Sequence, residues 1–502
     1  MPLDSEPAAR GFVRFLGGGR GRHVRSDRSL LARPVSFIVC VAYIFLAFGF
    51  MSKAACLGGK RGDDGSISLN WDGNRQYVAA CYSDIVPLYT GRGMDQGGFP
   101  YAYSWVEDGV THYMEYPVLS GLFQGLMGFI TRHTNGLVSW AGIPAAGWYT
   151  SVNALFMAIL WVGAIVLVCR LAGARVWDVL LVAASPLIIV HAFTNWDIPA
   201  IFCVVVGLYL AARHRNALAG VAFGLGGAFK LWPLFVLGAF FVLAARFRRW
   251  KPFLTMFTAA ALSCIAVNLP VALAYPDAWA EFFRLNSERT WEWTTIYALI
   301  DRTAGLPVPV GAVNVFSAVA FLACCVGIAV LGLRARRAPR VAELVFLIIA
   351  AFLLFNKVWS PQYSLWLVVP AVLALPRWRL LLSWMLADAL VWPILMWHML
   401  GVDNKGVTAD MLNIAVVVRD GFIIAIAVLI IRQILKRGTD GEHTAVGDKV
   451  DAAHNGTDLL AGDFATWSPH SCASFPSPSD SSASLPPTTP SSAETTAASP
   501  QH

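Results

Sequence analysis

The sequence predicts an all-α polytopic integral membrane protein, and three observations carry that prediction. Residues 35–432 hold twelve separate apolar stretches, each long enough to cross or nearly cross a bilayer. Hydrophobic residues make up 57% of the 502 and charged residues only 14%, the balance of a chain solvated mostly by lipid. Lys/Arg clusters fall at Arg20 to Arg33, Arg170 to Arg175, Arg213 to Arg215, Arg246 to Lys251, Arg334 to Arg340, Arg377 to Arg379 and Arg432 to Arg437. All of them lie on one face if the first stretch enters from the cytoplasm.

The first stretch, Val35 to Met51, follows 34 mostly polar residues and ends near Lys53-Ala54-Ala55-Cys56. Such a long leader and the lysine favour a retained anchor over a cleaved lipoprotein signal. Crossings follow at about 148–169, 177–193, 197–212, 217–229, 233–245, 253–272, 309–333, 341–355, 363–376, 378–399 and 411–432, after an opening span at 35–52. The pair flanking Lys230 is shorter than the roughly 20 residues a straight span needs, which predicts broken helices around a protein-lined cavity. Residues 117–131 are apolar too, but a single crossing there would reverse every later loop. They are expected to be re-entrant or to lie along the outer surface, or to pair with 132–147 as two crossings.

This gives a basic cytoplasmic segment at 1–34, a membrane domain at 35–432 and a disordered cytoplasmic tail at 433–502. The tail turns to Ser, Thr, Pro, Ala and Asp and lacks the apolar surface to fold. Both termini are then cytoplasmic in a multi-pass plasma-membrane protein. Two outward loops, 53–116 and 273–307, exceed what a connector needs, and long loops of this kind carry function. In the second, Trp279, Phe282, Phe283, Trp291, Trp293 and Tyr297 alternate with charges, as in an interfacial amphipathic helix or an aromatic belt.

The net charge of +7 resides in short juxtamembrane clusters that suit membrane lipids, so a nucleic-acid partner is not expected. Six of the nine cysteines lie within or beside apolar spans, where thiols act as small hydrophobes. Cys56 and Cys81 share the first outward loop and are either two free thiols or a disulfide, which would stabilise the loop by roughly 3 kcal/mol.

The unusual polar residues gather on the outward side: Asp84, Glu115 and Tyr116 in Tyr113-Met-Glu-Tyr-Pro117, Asn195 and Asp197, Lys230 in Phe229-Lys-Leu-Trp-Pro233, and Lys357 in Asn356-Lys-Val-Trp-Ser-Pro-Gln-Tyr363. Ionisable groups at the apolar boundary are functional candidates by default. Each also has a plainer use: Asp84 as a helix cap, Asp197 as the start of the next span, Lys230 as a snorkelling residue. Together they suit the joining of a water-soluble acceptor to a group carried on a lipid. A carboxylate takes the acceptor's proton and cations stabilise a departing phosphate.

In these motifs, over roughly residues 35–432, the chain resembles the GT-C superfamily of glycosyltransferases, specifically glycosyltransferase family 87. One departure is Pro117-Val118, where the family usually has two prolines. The resemblance implies a GT-C fold of about 12 transmembrane helices with large outward-facing loops and an extracytoplasmic active site. It implies an inverting reaction with Asp84 as general base, a polyprenyl phosphate sugar as donor, most often mannose, and a glycolipid or glycan acceptor in the cell envelope. Lys230, Lys357, Arg289 and His191 are the expected phosphate ligands. Glu115, Tyr116, Asn195, Asp197, Trp359, Gln362 and Tyr363 are the expected pocket residues. No cofactor and no metal is expected, since no His/Cys/Asp cluster has ligand spacing. An arabinofuranosyltransferase, a lipid-linked sugar flippase and a scaffolding protein remain the alternatives.

Overall fold

Lipid offers no partner for backbone N–H and C=O groups, so an apolar chain of this kind satisfies them within helices. The computed structural model describes Gly11 and residues 34–305, 309–336, 338–436 and 458–464, and it is helical apart from two short hairpins and the loops. The chain divides after Ala465, and every described residue belongs to the first unit. Among the described residues six helices are long and apolar enough to cross a membrane, and five shorter apolar helices of 10–17 residues accompany them.

Helix α1 (Pro34–Ala54) leads into the first long loop. There β1 (Gly59–Arg61) pairs antiparallel with β2 (Ile67–Leu69), and β3 (Trp105–Glu107) with β4 (Val110–His112). Two short helices, α2 (Arg75–Val78) and α3 (Ile85–Gly91), lie between the hairpins. The Cys56–Cys81 disulfide joins the end of α1 to the approach to α3. Residues 117–131 fall in a helix, α4 (Val118–Thr134), whose buried face carries Val118, Gly121, Gln124, Met127 and Thr131. It packs on α5 (Ala145–Ala172).

The stretch at 177–193 is not one helix. A 3-10 segment over 173–179 continues into α6 (Leu180–Ala183), and the chain then breaks at Ser185-Pro186 before α7 (Pro186–His191). Pro186 has no N–H to extend the ladder, and the Ser185 hydroxyl caps the new helix at the Leu187 amide. Helices α8 (Ile198–Ala212), α9 (Asn216–Phe229), α10 (Val236–Phe247) and α11 (Trp250–Ala274) follow as a tight set. Gly220 and Gly224 let α9 approach the α11 backbone closely. A Cβ at either would stand 2.1 Å from Met256 O or 2.2 Å from Ala260 O. Between α9 and α10 the chain opens at Lys230, which adopts extended backbone.

The second long loop folds as α12 (Pro276–Glu288) and α13 (Ile296–Ala304). Helices α14 (Val310–Arg334), α15 (Val341–Phe355), α16 (Leu365–Ala374), α17 (Trp378–Leu400) and α18 (Ala409–Lys436) complete the bundle. α15 and α16 are buried nearly all round and form its centre. At the basic end Arg246 donates to the carbonyls of Gly332 and Ala335, and Arg340 to that of Ala374, closing helix C-termini.

Two segments of the expected tail are folded. Residues 433–436 complete α18, and Leu459–Phe464 form a 3-10 turn with Leu460, Ala461 and Phe464 buried. Phe464 meets Phe240 at 5.4 Å, Asp458 accepts from the Val341 amide, and Asp463 engages His214 and Asn216. Composition averaged over seventy residues hid these apolar side chains. The remainder of that tail, and all of 1–33 but Gly11, lies outside the described residues.

Candidate active site

Five sequence-distant segments meet around Asn195 and Lys230. Ser83 starts the assembly: its buried hydroxyl donates to Phe193 O at 2.7 Å, and the Asp84 amide donates to Thr194 O at 2.9 Å. The first loop is thereby pinned onto the turn between α7 and α8. Asn195 in that turn then faces Asp84, donating Nδ2 to Asp84 Oδ2 at 2.7 Å and to the Tyr116 hydroxyl at 3.0 Å. Its Oδ1 accepts from the Trp196 amide at 2.6 Å and from Lys230 Nζ at 3.4 Å. With cations and N–H groups on the oxygen side, the amide nitrogen must point at Asp84.

Lys230 is 8% exposed and its ammonium lies 2.8 Å from Asp197 Oδ1, which also accepts from Trp366 Nε1 at 2.8 Å. The same ammonium sits over the Tyr363 ring, 4.9 Å from its centroid, and Tyr363 stacks on Trp366 at 4.2 Å. Asp197 therefore anchors the lysine. Asp84 differs from the other carboxylates nearby: Asp197 pairs with Lys230, Glu115 is held by both Arg92 Nε (2.6 Å) and Nη2 (2.7 Å), and Glu292 pairs with Arg289. Among the described residues the side-chain hydrogen bonds to the Asp84 carboxylate come from neutral groups, the Asn195 amide and the Tyr82 hydroxyl. Burial raises its pKa above the usual carboxylate range, with those two hydrogen bonds pulling the other way. That suits a base whose proton affinity must approach that of its target.

The remaining expected residues are spread around this core. Lys357 Nζ donates to Arg289 O at 2.7 Å and Ser287 O at 3.3 Å, so it ties its loop to the end of α12. Burial and the Arg289 charge lower its pKa. Arg289 and Glu292 lie within electrostatic reach of Tyr363, and Glu292 of Asp84. Trp359 and Gln362 are buried beneath, at 1% and 3% exposure. His191 is buried behind the site, edge-on to Trp392 at 5.5 Å, and neither ring nitrogen has a partner among the described residues.

Two contributors escaped the sequence reading. Lys53, at the end of α1, is 1% exposed, donates to Tyr82 O at 3.0 Å, sits 4.5 Å over Trp392 and feels the Asp84 charge. Its only signal was a cation closing an apolar run. Glu292 lay in an aromatic loop rich in charges, with nothing to single it out.

Beside Tyr116 opens a cavity of about 230 Å³ lined by Tyr101, Val118, Leu231, Ile265, Trp279, Phe282 and Phe283 among others. Its walls are mostly apolar, with Asn268 among them, and Tyr116 links it to the site through the hydrogen bond from Asn195, which also donates to Asp84. An apolar tail and a polar head can thus be held at once. Among the described residues no three His, Cys, Asp or Glu side chains group to hold a metal ion.

Residues 136–361 match the family model described as Glycosyltransferase family 87. The matched segment contains Asn195, Asp197, Lys230, Arg289, Lys357 and Trp359. Among solved structures, the chain is similar to ArnT from Cupriavidus metallidurans bound to undecaprenyl phosphate, at 11% identity and a TM-score of 0.38, covering 80% of this chain and 78% of that one. It is also similar to the Archaeoglobus fulgidus oligosaccharyltransferase tethered to an acceptor peptide, at 13% identity and a TM-score of 0.31. That match covers 83% of this chain but 59% of the other. No curated protein matches the sequence.

Proposed function

From the match of residues 136–361 to glycosyltransferase family 87 we propose that this chain transfers a sugar from a polyprenyl phosphate to a glycolipid or glycan acceptor, with inversion. The acceptor hydroxyl attacks the anomeric carbon from the face opposite the phosphate. Asp84 takes the hydroxyl proton as the new glycosidic bond forms. The bond between the anomeric carbon and the phosphate oxygen breaks, and the electron pair leaves with the polyprenyl monophosphate. One displacement needs one base and no covalent intermediate. Lys230, over the Tyr363 ring, and Arg289, within electrostatic reach of it, stabilise the charge on the leaving phosphate. The apolar cavity beside Tyr116 takes the first isoprene units.

The observation that carries this reading is Asp84 itself, a carboxylate with no ion-pair partner among the described residues, joined through Asn195 to Tyr116 on the wall of an apolar cavity and within electrostatic reach of a buried lysine. The alternation of basic clusters supports an extracytoplasmic site in the plasma membrane with both termini cytoplasmic. Mannose is the proposed sugar and cell-envelope glycan synthesis the proposed setting. Arabinofuranose is the alternative, because nothing around Asp84 or Lys230 distinguishes a pyranose from a furanose.

The test offers purified protein radiolabelled polyprenyl phosphate mannose, then the arabinose analogue, with glycolipid acceptors. Label should enter a new lipid-extractable glycoside, and Asp84→Asn should slow transfer by at least about 100-fold. A monodisperse wild-type protein that forms no glycosidic bond from either donor, yet moves donor between leaflets, would overturn the proposal in favour of a transporter.

A further inference from the structure

Arg419 is the eleventh residue of α18, a largely apolar helix, and is 0% exposed. A guanidinium in that setting is costly unless it is used. Two carboxylates attend it: Asp420, whose Oδ1 is 2.9 Å from Arg419 Nε, and the fully buried Asp388 on α17, which accepts from Trp384 Nε1 at 3.1 Å. With that charge offset, the guanidinium turns to two loops. Its Nη2 donates to Thr294 O at 2.5 Å, and its plane lies 3.6 Å over the Trp359 ring.

Those contacts fall on a crossed pair of segments. Glu292 N donates to Lys357 O at 2.8 Å, Thr294 Oγ1 to Trp359 O at 2.5 Å, and Lys357 Nζ to Arg289 O at 2.7 Å. Arg419 thus grips one end of the crossing whose other end carries Arg289 and Glu292, within electrostatic reach of Tyr363. The geometry points to Arg419 as a positioning residue that sets the 289–295 and 356–360 segments to receive the donor phosphate. It acts through Arg289 and Lys357 and touches no substrate itself. The inference rests on the donor site proposed above.

The experiment compares binding of undecaprenyl phosphate and of undecaprenol, the same chain without phosphate, to the full-length protein in detergent. The proteins are wild type, Arg419→Lys, and the charge-neutral pair Arg419→Met with Asp388→Asn, which leaves only Asp420, the more exposed of the two carboxylates, without the guanidinium. The neutral pair should lose about tenfold of the preference for phosphate over alcohol while undecaprenol affinity stays within twofold, and Arg419→Lys should retain part of that preference. Equal weakening of both ligands, or no change in either, overturns the inference, because a general brace would not single out the phosphate. If the neutral pair does not yield monodisperse protein, Arg419→Lys decides on the same criterion. Should wild type itself fail to prefer the phosphate, the donor-site reading fails first and this inference with it.

Discussion

Lys230 and Asp197 allow structural and chemical roles to be separated within one pair. Their charged atoms stand 2.8 Å apart with side-chain exposures of 10% and 1%. Lys230→Met leaves the Asp197 carboxylate buried with the Trp366 indole as its remaining direct partner, since Asp197 Oδ2 has none among the described residues. Stranding one member of such a pair costs about 3–5 kcal/mol. In the double variant Lys230→Met with Asp197→Asn, a neutral amide still accepts from Trp366, and the cost should fall to about 1 kcal/mol. The single variant should therefore lose its monodisperse state at a clearly lower temperature than the double one. Transfer should not recover with stability. On the role proposed for Lys230 at the leaving phosphate, both variants should be slower by about 10²–10³. Melting followed by size-exclusion chromatography, with turnover of labelled donor on the same preparations, reads both quantities. A double variant that turns over within tenfold of wild type refutes the phosphate role of Lys230. A single variant as stable as the double refutes the buried pair.

Two further outcomes follow. Because burial raises the Asp84 pKa, the acid limb of the pH–rate profile should lie above the ordinary carboxylate range, with activity rising as pH climbs through that limb and the base loses its proton. A limb at the usual carboxylate value, or one unchanged when Asp84→Glu is tested, would assign the titration elsewhere. Breaking the Cys56–Cys81 disulfide with Cys81→Ser should cost about 3 kcal/mol, from the 25-residue loop it closes, and should lower activity, because Ser83 and Asp84 follow directly. Equal thermal stability of wild type and Cys81→Ser under oxidising conditions contradicts this.

Helix existence was legible where apolar runs were bounded by basic clusters, as at α1, α11, α14 and α18. The short pair around Lys230 was legible for the same reason, and α9 and α10 flank that residue closely as expected. The break inside 177–193 was signalled by Ser185-Pro186, yet hydropathy alone ran through it. At the site, Asp84, Asn195 and Lys230 could be named from sequence because each interrupts an apolar boundary. Their connections could not: the Asn195 amide bridging Asp84 to Lys230 spans 111 positions one way and 35 the other. Lys53 and Arg419 look in sequence like a flanking charge and an interruption within a span. Only the packing of α1 beneath Tyr82, and of α18 beneath Trp359, gives them partners.

The small turn at 458–464 bears on how the polypeptide is handled. Asp458 and Asp463 hook separate corners of the bundle, while Gly462, at φ 49°, lies so close to Ala211 that a Cβ would stand 2.1 Å from its carbonyl oxygen. A chain trimmed after Lys436 because its remainder looks featureless would bare the Phe240 ring and deprive Asn216 and the Val341 amide of their acceptors. The shorter version should be the stickier one in detergent, and the full length the better-behaved sample.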